Sequence, residues 1–475
     1  MLFPTFAFAL FFAVVLPLSW LLRPHALAWR VFVLSASFFF YGYWDARFVV
    51  LLAVSIVGNW FLAGAVRALA GEDGEPTASS RRVVRVAVAA NLGLLGFFKY
   101  FDFFTASATD LLGNLGLPVD PPAIQIILPV GISFFTFQAM SYVIDVHRRE
   151  IAPMALLDFA VYLSFFPQLV AGPIVRATEF APQLDTPGDP RRVEAPEGIR
   201  LILVGLFKKV VVSSYLASEI VDPVFALPDR HTSLEILVAV YAYAIQIYAD
   251  FSGYTDIAIG CALLMGFRFP QNFDAPYISR SIQEFWRRWH LTLSRWLRDY
   301  LYISLGGNRR GNLLTYRNLA LTMVLGGLWH GAAWTFVVWG AIHGAAMVAE
   351  RYLRARWKPI GLPAPVVAGL QWVLTFHIVC LAWIFFRAPT IGDAWNMIGR
   401  IMTQFGPTPA ITGLLVLVIG LSLVSQFVPA SYPREADRVL ARMPVALLAL
   451  VIAAALTVID ALGPEGVAPF IYFQF

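Results

Sequence analysis

An all-α polytopic membrane protein is predicted for this chain by its composition, the length of its apolar runs and the placement of its basic residues. Hydrophobic residues make up 59% of the 475 residues and charged residues only 14%, whereas soluble domains are about a quarter charged. A chain with so little polar surface is suited to a lipid bilayer. We therefore expect one integral-membrane domain over 1–475, in contact with membrane lipids. We expect no nucleic-acid partner, in spite of a net charge of +5.

Apolar runs long enough to cross a bilayer recur along the sequence. A transmembrane helix needs about 20 mostly apolar residues, which predicts about 10–12 crossings here. The candidate spans are 2–22, 28–44, 47–66, 83–101, 124–146, 199–221, 234–265, 366–387, 411–430 and 440–462. We expect the first to be retained and not cleaved as a signal peptide, because no basic segment precedes it.

Basic residues favour one orientation of these spans. Arginines cluster around the loops that follow the first, third and fifth spans, whereas the loops near 45 and at 114–123 are poor in basic residues. Cytoplasmic loops are enriched in Lys and Arg. The pattern therefore predicts an N-terminus outside and the arginine-rich loops in the cytoplasm.

Two further apolar segments do not fit this alternation. Segment 155–173 lies between two basic loops and ends in Gly172-Pro173, which predicts a re-entrant hairpin. Segment 316–348 is long for one span and contains Gly326-Gly327 and Gly331. It is expected to form two short helices or one tilted helix broken at these glycines. Irregular backbone at membrane depth belongs near a cavity or a site.

His330 lies near the middle of segment 316–348, in the sequence LGGLWHGA. An ionisable group in an apolar segment is costly and is a functional candidate. A neutral imidazole can take a proton from a hydroxyl group near pH 7, and the neighbouring glycines would let a substrate approach closely. A packing histidine, hydrogen-bonded across helices, is the alternative that the residues leave open.

Residues 280–311 combine tryptophans with arginines in a helical pattern. The apolar positions recur at three- and four-residue spacing and share one face; they are Trp286, Trp289, His290, Leu293, Trp296, Leu297, Tyr300 and Leu301. The pattern predicts an amphipathic helix whose cationic side binds anionic lipid head groups or an anionic substrate, such as the phosphates of coenzyme A. By itself, His290 on the apolar face is typical of a buried core residue.

The remaining polar residues of the apolar runs have structural interpretations. Asp250 and Asp256 are expected to pair with nearby arginines, or with the lysines at 208–209. The other apolar-run histidines, His343 and His377, are interpreted as packing residues. The two cysteines, Cys261 and Cys380, are interpreted as buried small hydrophobes. The histidines show no metal-ligand spacing, so no metal site is predicted.

Several long motifs, taken together, resemble the membrane-bound O-acyltransferase family. The likeness is to its alginate O-acetyltransferase branch and runs from near the N-terminus to about residue 390, with a motif-bearing core of about 124–390. The motifs are LPVGISFFTFQAMSYVIDV (128–146), FFPQLVAGPIVRATEF (165–180), GLFKKVVV (205–212), IQIYADFSGYTDIAIG (245–260), EFWRRWHLTLSRWLRDYLYISLGGNRRG (284–311), LGGLWHGAAWTFVVWGAIHG (325–344) and LAWIFFRA (381–388). The resemblance implies a ring of transmembrane helices, with re-entrant and amphipathic helices around a central tunnel.

The resemblance also implies roles for individual residues. His330, in the Trp-His-Gly motif, would be the essential catalytic residue, and His290, in the Arg-Trp-His motif, the second catalytic histidine. The substrate would be bound by residues of the same two motifs: Trp286, Arg288, Arg295, Asp299, Tyr302, Asn308, Arg309 and Trp329. No cofactor is implied, with acetyl-CoA expected as the donor substrate.

The implied function is transfer of an acetyl group from cytoplasmic acetyl-CoA across the bacterial inner membrane. The acetyl group would modify an exported polysaccharide such as alginate, with a separate periplasmic acetyltransferase as partner. O-acylation of another polysaccharide or of peptidoglycan, and D-alanyl transfer to teichoic acid, are alternatives with the same chemistry. A transporter or flippase of lipid-linked sugar is the alternative from a different class.

Overall fold

The computed structural model describes residues 1–71, 73–117, 119–120, 126–186, 188–356, 361–429, 431–464 and 471. In this part of the chain the regular structure is helical throughout, without a strand. Six of its helices are long and apolar enough to cross a membrane, so the chain is an all-α polytopic membrane protein, as predicted. The expected count of 10–12 crossings, the ring and the tunnel stay predictions, as does the single domain.

The helices are numbered α1 to α19 in chain order. They are α1 Phe6–Leu22, α2 Ala26–Gly42, α3 Arg47–Ala68, α4 Ala78–Asn114, α5 Ile132–His147, α6 Leu156–Ser164, α7 Phe166–Leu169, α8 Ala177–Asp185, α9 Ala195–Ala226, α10 Ser233–Leu264, α11 Ile282–Trp286, α12 Leu291–Trp296, α13 Asn312–His330, α14 Trp334–Arg356, α15 Ala364–Arg387, α16 Ile391–Thr403, α17 Gly413–Ser425, α18 Ser431–Arg442 and α19 Val445–Leu462. The six long apolar helices are α3, α4, α9, α10, α15 and α19. Both α4 and α9 include π-helical turns.

One compact unit comprises Met1–Gly198 and Ala258–Pro270. Its most deeply buried stretch is 159–175, in which each residue is buried. The helix here breaks at Phe165, whose ψ of 111° is not helical and separates α6 from α7. The sequence predicted a re-entrant hairpin ending at Gly172-Pro173; the structure shows the broken helix, and the return to the same membrane side stays a prediction.

The second compact unit comprises Ile199–Ile257 and Gln271–Phe475. Within it α9 and α10 cross where Gly205 faces Gly253, and a Cβ at Gly205 would lie 2.5 Å from the Gly253 carbonyl oxygen. Two ion pairs join the same helices. Lys208 Nζ lies 2.7 Å from Asp256, and Lys209 pairs with Asp250 in an almost fully buried contact. Among the described residues, the carboxylates thus pair with the two lysines and not with arginines.

Segment 316–348 forms two helices, α13 and α14, which was one of the two predicted arrangements. The break falls between His330 and Trp334 and not at Gly326-Gly327. The glycines here serve helix packing: a Cβ at Gly327 would lie 2.3 Å from the Phe336 carbonyl oxygen, and one at Gly331 would overlap the Phe336 ring. The expectation that these glycines leave room for a substrate is therefore wrong for Gly327 and Gly331.

Residues 280–311 do not form the single amphipathic helix that the spacing predicts. They form α11 and α12, separated at 287–290, and a π-helical turn at Leu297–Tyr302. His290 causes the break, because its φ of +44° is left-handed and cannot continue an α-helix. Seven of the eight residues predicted on the apolar face are buried, namely Trp286, Trp289, His290, Leu293, Trp296, Leu297 and Tyr300, and Leu301 is half-buried.

Candidate active site

The structure brings the two predicted histidines to a common neighbour. Trp329 is the residue before His330 at the end of α13, and its ring centroid lies 5.0 Å from that of His330. The same indole lies 6.1 Å from the imidazole of His290, at the start of α12. Both histidines and Trp329 are buried. The proximity of these motifs in space is what an active site built on both would need.

Aromatic rings surround His330. The ring of Trp339 lies 4.9 Å away and that of Phe386 lies 5.4 Å away, each edge-on. They come from α14 and α15, so three helices meet at this imidazole. His330 is only 2% exposed. The sequence predicted that the flanking glycines would let a substrate approach this imidazole closely, whereas the structure shows it covered by aromatic side chains.

The imidazole of His290 is held by a hydrogen bond to Asn272. Its Nδ1 lies 3.1 Å from Oδ1 of Asn272, which also accepts from the backbone N–H of Thr292 at 3.2 Å and from its hydroxyl at 2.9 Å. The backbone N–H of Leu291 donates to the Asn272 carbonyl at 2.9 Å. The ring of Phe251 lies edge-on at 4.7 Å. One asparagine therefore fixes both the turn and the imidazole.

Burial lowers the pKa of His290 to about 3. The residue lies outside the six long apolar helices, between α11 and α12. Its imidazole is therefore neutral at neutral pH, with one nitrogen protonated and the other able to accept a hydrogen bond.

A cavity of about 870 Å³ opens next to these motifs. Its walls come from α11, α12, the π-helical turn after α12, α13 and α14. Four of the eight predicted substrate-binding residues line it: Trp286, Arg295, Tyr302 and Asn308. Met323 of α13 also lines it, seven residues before His330, which is about 10 Å along a helix. The cavity therefore approaches the catalytic candidate without including it.

Positive charge dominates the cavity wall. Five arginines line it, against one carboxylate, that of Glu350: Arg287, Arg295, Arg298, Arg351 and Arg354. Glu350 pairs with Arg354 at 2.6 Å, and Arg298 pairs with Asp299 at 2.6 Å. Within the described residues Arg287 and Arg351 make no ion pair. Such a wall favours an anionic ligand, because arginine binds phosphate and carboxylate groups in a bidentate manner.

Tyr302 supplies a neutral donor in the same cavity. Burial raises the pKa of its hydroxyl, against a smaller lowering by the charge of Arg351. The hydroxyl therefore keeps its proton at neutral pH and can donate a hydrogen bond to an anion.

The other four predicted substrate-binding residues lie outside the cavity wall. Arg288 forms ion pairs with Glu284 at 3.0 Å and with Asp274 at 3.2 Å. Asp299 pairs with Arg298, Arg309 is exposed, and Trp329 lies between the two histidines. Ligand binding by any of the eight stays a prediction.

A layer of two tryptophans links the cavity wall to His330. Trp286 lines the cavity, its ring lies 5.7 Å from that of Trp339, and Trp339 contacts His330. His343, which the sequence presented as a packing residue, holds this layer: its Nδ1 lies 3.4 Å from Trp286 Nε1 and its ring 4.8 Å from that of Trp339. Trp286 and Trp339 thus connect the cavity wall to the imidazole of His330 through ring contacts.

Reasoning from the sequence did not find that Arg351 and Arg354 line the cavity, or that Asn272 contacts the imidazole of His290. The two arginines follow an apolar run and have the pattern of cytoplasmic loop charges, although their spacing of three residues places them on one face of α14. Asn272 is 18 residues from His290, and no periodicity connects the two. Within the described residues no group of His, Cys, Asp and Glu has the arrangement of a metal site.

The sequence matches a family model over residues 130–387, that of MBOAT, the membrane-bound O-acyltransferase family. This range contains both histidines, the cavity wall and Asn272. The chain belongs to the membrane-bound O-acyltransferase family. It is therefore an O-acyltransferase with several membrane-spanning helices, and family membership decides against the transporter that the sequence left as an alternative.

Relatives with assigned activities carry the same kind of chemistry. A probable alginate O-acetylase of Azotobacter vinelandii is 43% identical over 79% of this chain and 73% of its own. A peptidoglycan O-acetyltransferase of Helicobacter pylori is 39% identical over 78% and 73%. A teichoic acid D-alanyltransferase of Streptococcus thermophilus is 30% identical over 56% and 69%. The O-acyltransferase is thus more similar to these two O-acetyltransferases than to the D-alanyltransferase.

Proposed function

We propose that this O-acyltransferase moves an acetyl group from acetyl-CoA to an acceptor hydroxyl for the modification of an exported polysaccharide such as alginate. The cavity with five arginines beside the two histidines carries this proposal. Acetyl-CoA has a polyphosphate end that suits the arginines and a thioester at the end of a flexible arm. The high identity to a probable alginate O-acetylase supports the acceptor class.

The donor enters from the cytoplasm in this proposal. Arg351 and Arg354 lie at the end of α14, after an apolar stretch, and basic residues next to membrane spans are enriched on the cytoplasmic side. Acetyl-CoA is made in the cytoplasm. The acceptor approaches from the opposite side of a bacterial inner membrane, and a separate periplasmic acetyltransferase completes the modification.

Transfer takes place at His330. Its imidazole takes the proton of the acceptor hydroxyl as that oxygen attacks the thioester carbonyl. The C–S bond then breaks, the acetyl ester forms, and the coenzyme A thiolate receives the proton. The thioester reaches His330 when the layer of Trp286 and Trp339 moves aside, because both the cavity and the imidazole border this layer.

Acetylation of peptidoglycan is the second candidate within the same chemistry. It is favoured by the Helicobacter pylori relative, whose identity of 39% is close to that of the alginate O-acetylase relatives. The same cavity and histidines would serve it, since only the acceptor differs. D-alanyl transfer has the weaker support of a relative that covers 56% of the chain.

The replacement His330→Ala in cells tests the proposal. Acetyl ester on the exported polymer should fall by about 100-fold or more, because general base catalysis is removed, while the variant still accumulates in the membrane. The measurement is the ester content of the polymer, normalised to the amount of inserted protein.

A matched control is His377→Ala. His377 is exposed on α15 and bonds to Tyr241, away from both motifs. We expect it to retain acetylation. Normal ester content in the His330→Ala strain would contradict the proposed function.

A further inference from the structure

The imidazole of His290 has a defined tautomer in this structure, and Asn272 defines it. The Asn272 side chain is buried, and its Oδ1 faces the backbone N–H of Thr292 at 3.2 Å. A backbone N–H can only donate. The atom opposite it must therefore be the amide oxygen, since the NH2 group would place two donors face to face.

The same oxygen lies 3.1 Å from Nδ1 of His290. An amide oxygen only accepts, so Nδ1 carries the hydrogen of this contact. In a neutral imidazole the other nitrogen, Nε2, then has a lone pair and no hydrogen. His290 is 0% exposed, and within the described residues no hydrogen-bond partner lies in reach of Nε2.

A buried acceptor without a protein partner is costly unless something else fills the position. The left-handed backbone at His290, with φ of +44°, adds to this cost and persists because Asn272 also holds the turn through Leu291 and Thr292. The fold therefore maintains an imidazole whose Nε2 is kept ready to accept a hydrogen bond.

We propose that Asn272 is a positioning residue for acyl transfer: its side-chain oxygen holds His290 as the Nδ1–H tautomer, so that Nε2 accepts a hydrogen bond from the acyl acceptor. This inference rests on the proposed function. The hydroxyl that gives its proton to His330 has only one hydrogen, so the group bound by His290 is a second hydrogen-bond donor of the acceptor, a neighbouring hydroxyl or an amide N–H.

In the part of the chain that the structure describes, His290 makes no ion pair. The contacting rings are those of Phe251, Phe273 and Trp329. Of the charged groups on the adjoining elements, Arg288 is engaged with Glu284 and Asp274, and Asp250 with Lys209. Arg287 and Arg295 line the cavity. Burial, which lowers the pKa of His290 to about 3, keeps the ring neutral over the working range of pH.

The variant Asn272→Asp tests the inference through the pH profile. A carboxylate opposite Nδ1–H favours the imidazolium and raises the pKa of His290, and a protonated ring has a hydrogen on Nε2 and cannot accept. In membrane vesicles, the rate at which the radiolabelled acetyl group passes from acetyl-CoA to the acceptor should be near normal at high pH. It should fall as the pH decreases through the raised pKa, whereas the wild type shows no such acid limb from His290.

Two further variants separate tautomer control from a merely structural role. Asn272→Leu keeps the size but removes the acceptor, and we expect about a tenfold loss of rate without a new acid limb, as for other buried groups that orient an imidazole. Thr292→Val removes one donor to the same oxygen and leaves the His290 contact, so its pH profile should match the wild type. A wild-type rate and profile in both Asn272 variants would overturn the inference.

Nitrogen NMR on the wild-type chain keeps the inference testable if the Asn272 variants do not accumulate. With 15N-labelled histidine, and assignment by loss of one signal in His290→Gln, His290 should show a protonated Nδ1 and an unprotonated Nε2. A hydrogen on Nε2 would overturn the inference while leaving the proposed function intact. If His330→Ala also leaves acetylation normal, the proposed function fails, and the tautomer is still decided by the NMR signal.

Discussion

The polar groups of the second compact unit occur in two contrasting surroundings. In one of them, buried groups have fixed partners, as where Asn272 holds His290 and Lys209 pairs with Asp250. The cavity wall, in contrast, presents exposed arginines such as Arg287 and Arg351 that make no ion pair within the described residues. The difference teaches that the buried contacts determine structure and protonation, whereas Arg287 and Arg351 are the cavity arginines from which we expect an effect on donor affinity.

The largest effect on stability is expected from the buried pair. Lys209→Met leaves the Asp250 carboxylate buried without its cation, and breaking such a pair costs about 3–5 kcal/mol of the free energy of unfolding. Lys208→Met is the matched control, because the Lys208–Asp256 pair is partly exposed, with side chains 24% and 19% accessible. Thermal unfolding of the detergent-solubilised protein measures both. Equal losses in the two variants would remove the distinction between buried and exposed polar groups.

A smaller effect is expected when an arginine of the cavity wall is replaced. This effect is on the affinity for the donor and not on stability. Arg351→Ala removes one charged donor to the phosphates of acetyl-CoA, which should raise KM for the donor about tenfold with little change in kcat or in unfolding temperature. Arg442→Ala, on the exposed face of α18, is the control and should leave KM unchanged. A loss of kcat at constant KM would show that Arg351 acts in the chemical step and not in donor binding.

The sequence predicted the class of fold and the apolar face of 280–311 because both depend on composition and periodicity. It pointed to His330 for a similar reason, since an ionisable group inside an apolar run is visible without a structure. It missed the break at His290, because a positive φ in a histidine has no sequence signal comparable to a glycine. It gave the wrong role to Gly327 and Gly331, whose neighbour Phe336 is close only after α13 and α14 pack.

The presence of Arg351 and Arg354 in the cavity wall could not be predicted from the sequence for another physical reason. Arg351 and Arg354 have the pattern of charges that orient a membrane span, and only the packing of α14 against α13 places them in the wall of the cavity. The aromatic layer of Trp286 and Trp339 likewise joins residues 53 positions apart in the chain. Contacts at such separations have no local periodicity.

Donor binding measured apart from transfer tests the central claim most directly. The probe is a thioether analogue of acetyl-CoA, which cannot give up its acyl group, bound to the purified chain. The account predicts that His330→Ala binds the probe within about twofold of the wild type although it has lost transfer, and that Arg351→Ala binds it about tenfold more weakly. Loss of binding in His330→Ala, or wild-type affinity in Arg351→Ala, would contradict it.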